Sequence, residues 1–260
     1  QQGPGRNEDL SMGKKVIVIL PAYNAARTLE RTLHDLPPGV ADEVILVDDA
    51  SRDNTVALAR QLGLVVLVHS RNRGYGGNQK TCYAEALRRG ADVVLMLHPD
   101  YQYDPALAPA MVAPILRGEA DLVLGSRMLE DKALLGKMPL WRYAGNKFLT
   151  GLENWVFGTH LSEMHTGYRA FSRELLLTVP FETNNEKFVF DQEILAQAIL
   201  SGARIHEIPI PTKYFKEASS VSFRASVVYG LRTLGLLVKF RLHTSGMRAS
   251  PQFSLRQTAP

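Results

Sequence analysis

The residues best equipped for chemistry lie in His98-Pro99-Asp100-Tyr101-Gln102-Tyr103-Asp104-Pro105. His98, Asp100 and Gln102 occupy alternate positions, and each carries an atom able to bind a divalent cation. A cation held there would grip a diphosphate and neutralise the charge a departing nucleotide develops. The plain alternative is a polar turn that starts a helix at Pro105 with Asp104 as its N-cap. Asp48-Asp49 stands where an apolar run ends. These carboxylates either accept from a nucleoside base or ribose, or cap a helix. Arg127, in Gly125-Ser126-Arg127, either binds phosphate through its forked guanidinium or makes a surface ion pair. Phe190-Asp191-Gln192-Glu193 opens a helix. Asp191 and Glu193 are there either as general bases for an acceptor hydroxyl or as a cap and a partner of the helix dipole. Gly74-Tyr75-Gly76-Gly77 marks a tight turn before a helix, with backbone N–H groups available to a phosphate.

Strands must position these groups. Apolar runs at 15–20, 43–47, 64–69, 92–97 and 121–124 each end at a polar cluster. Helical patterns at 25–36, before Leu62, before Arg89 and at 105–117 separate them, with Asn24 the expected cap of the first. Strands alternating with helices give βαβ units and a mainly parallel, Rossmann-like sheet flanked by helices. In such sheets ligands bind at the carboxyl ends of the strands. After residue 130 the pattern changes to a basic loop at 132–139 and a helix through Trp141, Phe148, Leu152 and Trp155. A loop at 163–169, a helix at 190–201 and a strand at 204–208 follow. This back half is expected to elaborate one α/β domain over 15–215 and close its site.

Residues 221–242 are mainly apolar, with Arg224, Arg232, Lys239 and Arg241 interspersed. They read as an amphipathic helical appendage over 216–243, lying at a membrane surface, on the core or at a homodimer contact. Residues 1–14 and 244–260 are expected to be disordered, the first few resembling an appended sequence before a start at Met12.

Composition narrows the function. In 260 residues there is one cysteine, which excludes an internal disulfide and cysteine-rich zinc sites, so Cys82 is read as packing. The net charge of +4 comes from scattered Lys and Arg without the basic-aromatic interleaving of a nucleic-acid binder. Phosphorylated small molecules or an anionic membrane surface suit it better. No run reaches the roughly 18 to 20 apolar residues of a membrane span, so a cytoplasmic protein, peripheral at the inner face of the membrane, is expected. A nicotinamide oxidoreductase is disfavoured, because no G-x-G-x-x-G follows the first strand.

Taken in order, the motifs resemble glycosyltransferase family 2, enzymes of GT-A fold, and within it the dolichol-phosphate-mannose-synthase-like, polyprenyl-phosphate branch. Pro21-Ala22-Tyr23-Asn24 resembles the first-strand P-x-Y-N/E, and Val47-Asp48-Asp49-Ala50-Ser51-Arg52-Asp53-Asn54-Thr55 resembles V-D-D-G-S-x-D-x-T. Asn72-Arg73-Gly74 is similar to N-x-G, and 98–105 to D-A-D-x-Q-H-D-P. Gly125-Ser126-Arg127, His165-Thr166-Gly167-Tyr168-Arg169 and Glu207-Ile208-Pro209-Ile210 are similar to later landmarks. The resemblance implies sugar transfer with inversion from a UDP- or GDP-sugar, most naturally to a polyprenyl phosphate. The alternatives are a saccharide hydroxyl acceptor, or a non-catalytic nucleotide-sugar scaffold. It implies that Pro21, Ala22, Tyr23, Asn24, Asp48, Asp49 and Pro99 hold the nucleotide. Asp100 and Gln102 bind the metal, and Arg127, Arg142 and Lys216 contact phosphate. His98 stands where the family has Asp. An imidazole there favours Mn2+ over Mg2+ if it ligates, or else donates to a phosphate.

Overall fold

The computed structural model describes residues 13–129, 138–211 and 223–256. Seven strands form one sheet: β1 (Val16–Ala22), β2 (Glu43–Asp48), β3 (Val65–Val68), β4 (Val93–Met96), β5 (Leu122–Ser126), β6 (Arg169–Ser172) and β7 (Ile205–Pro209). Their spatial order is β3-β2-β1-β4-β6-β5-β7. All pairs are parallel except those of β6, which runs antiparallel to both β4 and β5. The helices are α1 (Leu29–His34), α2 (Thr55–Gln61), α3 (Tyr75–Arg88), α4 (Ala108–Leu116), α5 (Leu140–Phe157), α6 (Arg173–Thr178), α7 (Phe190–Leu200) and α8 (Phe223–Thr244).

Alternation along the strands divides the core in two. Val16, Val18 and Leu20 of β1 face one way, onto Leu29 of α1, Ala59 of α2 and Met111, Val112 and Ile115 of α4. Ile17 and Ile19 face the other way, onto Tyr83 and Ala86 of α3, Leu176 of α6 and Ile194 and Leu195 of α7. Continuous apolar strands are what a sheet covered on both faces requires. A third cluster joins Val156 of α5, Ala196 of α7 and Leu236, Leu237 and Phe240 of α8. Burying each of these larger side chains stabilises the fold by roughly 1.5–3 kcal/mol, which fastens α8 to the domain.

Three sequence expectations change. The first helix begins at Leu29, not residue 25, and Asn24 does not cap it. Residues 25 and 26 instead bind the β2 loop, Ala25 N donating to Thr55 Oγ1 and Ala26 N to Asp53 Oδ2. The loop expected at 163–169 gives way at Arg169 to β6, which four residues with an arginine at their head do not announce by alternation. Arg169 is nevertheless fully buried, its guanidinium donating to the carbonyls of Met164, Thr166 and Asp191. The expected disordered tail packs through residue 256. Phe253 is 2% exposed and meets Phe240 edge-on at 5.4 Å, while Gln252 donates to Asn184. Residues 257–260 lie outside those described, as do 1–12. Among the described residues no helix is long and apolar enough to cross a membrane.

Candidate active site

The carboxyl ends of β1, β2 and β4 open into a cleft of about 1190 Å³ that runs across the sheet to α5 and α8. Pro21, Ala22, Tyr23 and Asn24 line its first end together with Asp49. Two non-glycine residues there take left-handed backbone, Asn24 with φ 53° and Ala50 with φ 62°. Such strain costs about 1–2 kcal/mol per residue and is held by side-chain ties between the loops. Asn24 N donates to Ser51 Oγ at 2.8 Å, and Arg52 N donates to Asn24 Oδ1 at 2.8 Å.

The two neighbouring aspartates separate. Asp48 is buried and does not line the cleft. It closes its own turn by accepting from Ser51 N at 2.9 Å. Asp49 reaches the cleft. It takes Arg73 N at 2.8 Å and Gly74 N at 2.9 Å, and pairs with His69 Nδ1 at 2.7 Å. A carboxylate offers about four acceptor positions, so one remains for a base or ribose donor.

The knuckle after β4 places His98, Pro99, Asp100 and Gln102 on the cleft wall. Tyr101 between them takes φ 61°. Its ring is 3% exposed and lies 4.1 Å beneath the Arg31 guanidinium, which compensates that strain. Among the described residues no three His, Cys, Asp or Glu side chains converge as a self-contained metal cage. Mg2+ and Mn2+ usually take one or two protein oxygens and complete their shell with substrate phosphates and water. Asp100 and Gln102 fit that partial donor set. The Nε2 of His98 lies 3.2 Å from the Tyr75 hydroxyl.

Arg127 reaches the cleft and also pairs with Glu163. Its Nε donates to Glu163 Oε1 at 2.9 Å and its Nη2 to Glu163 and to the His165 carbonyl. Burial pushes the Glu163 carboxyl up, yet Arg127, then Asn146, outweigh it and hold Glu163 below the usual range. The pair is buried rather than at the surface, with side chains 13% and 0% exposed. Arg142 lines the cleft from α5 beside Trp141. Lys216 lies outside the described residues.

Of the two proposed bases, only Asp191 lines the cleft. It is not a helix cap: it accepts from Tyr75 OH at 2.6 Å and from Gln79 Nε2 at 3.0 Å. Glu193 does not line the cleft and accepts from Asn185 N.

The glycines in the first turn of α3 let another segment pack closely. Gly76 N and Gly77 N donate to the Glu186 carbonyl, not to a phosphate. A Cβ on Gly76 would lie 2.4 Å from the Asn185 carbonyl. The loop at 184–188 can therefore seat on the helix start, and it carries Lys187 and Phe188 to the cleft. Sequence reading missed Tyr75, Glu163, Lys187 and Phe188. Only the glycine spacing hinted that something must approach that backbone.

The opposite end mixes apolar side chains with Arg142 and Asn146. Met138, Trp141 and Leu149 line the cleft, and Tyr229 of α8 reaches it with its hydroxyl 2.8 Å from His165 Nδ1. Outside it, α5 exposes Leu140, Phe148 (69%) and Trp155 (76%), and α8 exposes Val227, Leu231 (63%) and Val238 (60%).

The family model of Glycosyl transferase family 2 matches residues 17–179. One relative is a UDP-N-acetylglucosamine--dolichyl-phosphate N-acetylglucosaminyltransferase of Methanococcus voltae, 27% identical over 218 residues, covering 77% of this chain and 86% of the relative. Another is an undecaprenyl-phosphate mannosyltransferase of Micrococcus luteus, 29% identical over 210 residues, covering 75% and 82%. A solved structure of glucosyl-3-phosphoglycerate synthase from Mycobacterium tuberculosis, in complex with Mn2+, uridine-diphosphate-glucose and phosphoglyceric acid, aligns with a TM-score of 0.69. It is 20% identical, and the alignment covers 92% of this chain and 85% of that one. Similarity at that level speaks for the fold.

Proposed function

The chain belongs to glycosyl transferase family 2 and has the GT-A fold, and on that premise we propose that it transfers a sugar from a nucleoside-diphosphate sugar to a polyprenyl phosphate, with inversion at the anomeric carbon. One observation carries the acceptor class. A single cleft joins the polar nucleotide end to a mouth where Met138, Trp141 and Leu149 lie beside Arg142, and α5 and α8, which line that mouth, expose further apolar side chains. A phosphate with a long hydrocarbon tail matches that gradient, and the two lipid-phosphate transferases among the relatives support it. The same faces, with the basic residues Lys147, Arg232 and Arg241 on these helices, suit peripheral contact with an anionic membrane.

Pro21, Tyr23 and the remaining acceptor position of Asp49 hold the nucleoside. Asp100 and Gln102 would hold a divalent cation, Mn2+ in preference to Mg2+, which neutralises the diphosphate as it leaves. Lys187 and Arg142 add positive charge along the cleft wall. The acceptor oxygen bonds to the anomeric carbon as the bond to the diphosphate oxygen breaks, and its electron pair leaves with the nucleotide. A lipid phosphate is already anionic at neutral pH, so the step needs no general base. Arg127 contributes by fixing the end of β5 to the 163–166 loop through Glu163. A hydroxyl acceptor is the second reading, favoured by Asp191 on the cleft wall, which would take the hydroxyl proton.

Turnover of a panel of UDP- and GDP-sugars, with Mn2+, Mg2+ or EDTA and with or without a short polyprenyl phosphate, tests this. Metal-dependent turnover stimulated by the lipid phosphate is expected. Stimulation only by saccharides would replace the lipid acceptor with a hydroxyl. Donor binding without turnover under any condition would make the chain a scaffold.

A further inference from the structure

Tyr75 joins three parts of the site. It opens α3, and its hydroxyl lies 2.6 Å from Asp191 Oδ2 on α7 and 3.2 Å from His98 Nε2 after β4. With Asp191 ionised, the hydrogen bonds along this chain fix one arrangement of protons. An ionised carboxylate only accepts, and Asp191 already takes Gln79 Nε2 on its other oxygen at 3.0 Å. The short contact to Oδ2 therefore uses the Tyr75 proton. A phenol has only one. Its oxygen can then meet His98 only as an acceptor, which requires a hydrogen on Nε2.

The packing fixes the ring as well as the proton. His98 and Tyr75 stack with centroids 5.5 Å apart and planes 16° apart. A Cβ on Gly167 would sit 2.7 Å from His98 Nε2, so a side chain there would push the imidazole off Tyr75. Tyr103 borders the other side at 6.0 Å.

We propose that Tyr75 is a positioning residue that holds His98 as the Nε2–H tautomer, so that His98 offers the Nδ1 lone pair to a divalent cation beside Asp100 and Gln102. The ligand half of this inference rests on the metal-dependent reading above. It decides between the two roles open to an imidazole at this position. A neutral His98 with hydrogen on Nε2 cannot donate to phosphate through Nδ1, but it can ligate. Ligating histidines typically have their second nitrogen bonded to a carboxylate or another acceptor, which orients the ring and raises its basicity. Here a phenol is interposed between the imidazole and Asp191.

The test uses protein labelled with 15N at histidine, without metal, at neutral pH. Two-bond proton–nitrogen spectra report which ring nitrogen is protonated, and the signal missing from His98→Gln assigns His98 among the seven histidines. Wild type should show Nε2–H with a bare Nδ1. Tyr75→Phe keeps the ring and removes the acceptor, so it should give a tautomer mixture. Asp191→Asn, a second variant, lets the Tyr75 proton turn toward His98 and should raise the Nδ1–H form. Mn2+ affinity in the presence of UDP, read from the electron paramagnetic resonance of free Mn2+, should fall about 10-fold or more in Tyr75→Phe. An Nδ1–H His98 in wild type overturns the inference, as does Tyr75→Phe with unchanged tautomer and Mn2+ affinity. Nε2–H without any Mn2+ binding overturns the metal reading and the ligand role with it, while the tautomer itself stands.

Discussion

Arg127→Met separates what the arginine does for the fold from what it does for phosphate. Glu163 is fully buried, and the substitution removes its cation. Asn146 Nδ2, at 2.7 Å, and the backbone N of residue 127, also at 2.7 Å, remain as donors. Breaking a buried pair costs roughly 3–5 kcal/mol, and the retained donors place this case near the lower figure. At about 2–4 °C per kcal/mol for a chain of this size, Tm should drop by about 6–12 °C near pH 7. The pH dependence identifies the cause. In wild type the Glu163 pKa is depressed below 4.5, so its contribution is present above that pH and lost as the pH falls through the folded value. Without Arg127 burial prevails and the pKa rises above 4.5, so the penalty is present at neutral pH and relieved on acidification. Calorimetry of both proteins from pH 7 to 5 should therefore show a narrowing gap. The double variant Arg127→Met, Glu163→Leu should regain most of the lost Tm. A gap that stays constant with pH, or a loss under about 1 kcal/mol with turnover abolished, would refute the structural role and return Arg127 to phosphate binding.

Gly76→Ala should destabilise the protein by about 1–3 kcal/mol and weaken UDP binding, since its Cβ would drive the Asn185 carbonyl, and Lys187 with it, off α3. An unchanged Tm in thermal melts would contradict the close approach. Lys187→Ala should raise the UDP Kd about fivefold in calorimetric titrations, and flatten its salt dependence, because the ammonium makes no ion pair among the described residues. His98→Asp should shift the metal preference toward Mg2+ in turnover assays, because a hard anionic oxygen replaces an imidazole; an unchanged Mn2+:Mg2+ ratio would exclude His98 from the metal shell. Phe148→Glu with Trp155→Glu should abolish sedimentation with anionic vesicles and leave donor hydrolysis intact, since neither side chain lines the cleft. Retained sedimentation would move membrane contact elsewhere.

Much of the site's location was legible because its components are local. The apolar strands, the polar residues at their ends and the prolines at 99 and 105 are signals carried within a few residues. What each side chain does there was not legible, because its partners are distant in sequence. Asp49 is filled from residues 24 and 25 positions away, Arg127 from 36, and Asp191 from 116. A short strand such as β6 and a tail residue such as Phe253 are likewise specified by the surfaces they meet, not by their own pattern.

The partners also explain why equally charged strand-end residues have different duties. Arg127 is matched by the fully buried carboxylate of Glu163. Asp48 is buried behind the cleft wall. Asp49 is held by two backbone N–H groups and one imidazole, with no Lys or Arg ion pair among the described residues. Its orientation is therefore fixed while an acceptor position remains. The same holds for Asp191, whose two partners, Tyr75 and Gln79, are both neutral. A group oriented without a Lys or Arg counter-ion keeps its charge for a ligand, whereas one paired with such a counter-ion does not. By that criterion Asp49 and Asp191 are the strand- and helix-end carboxylates of the cleft to substitute first.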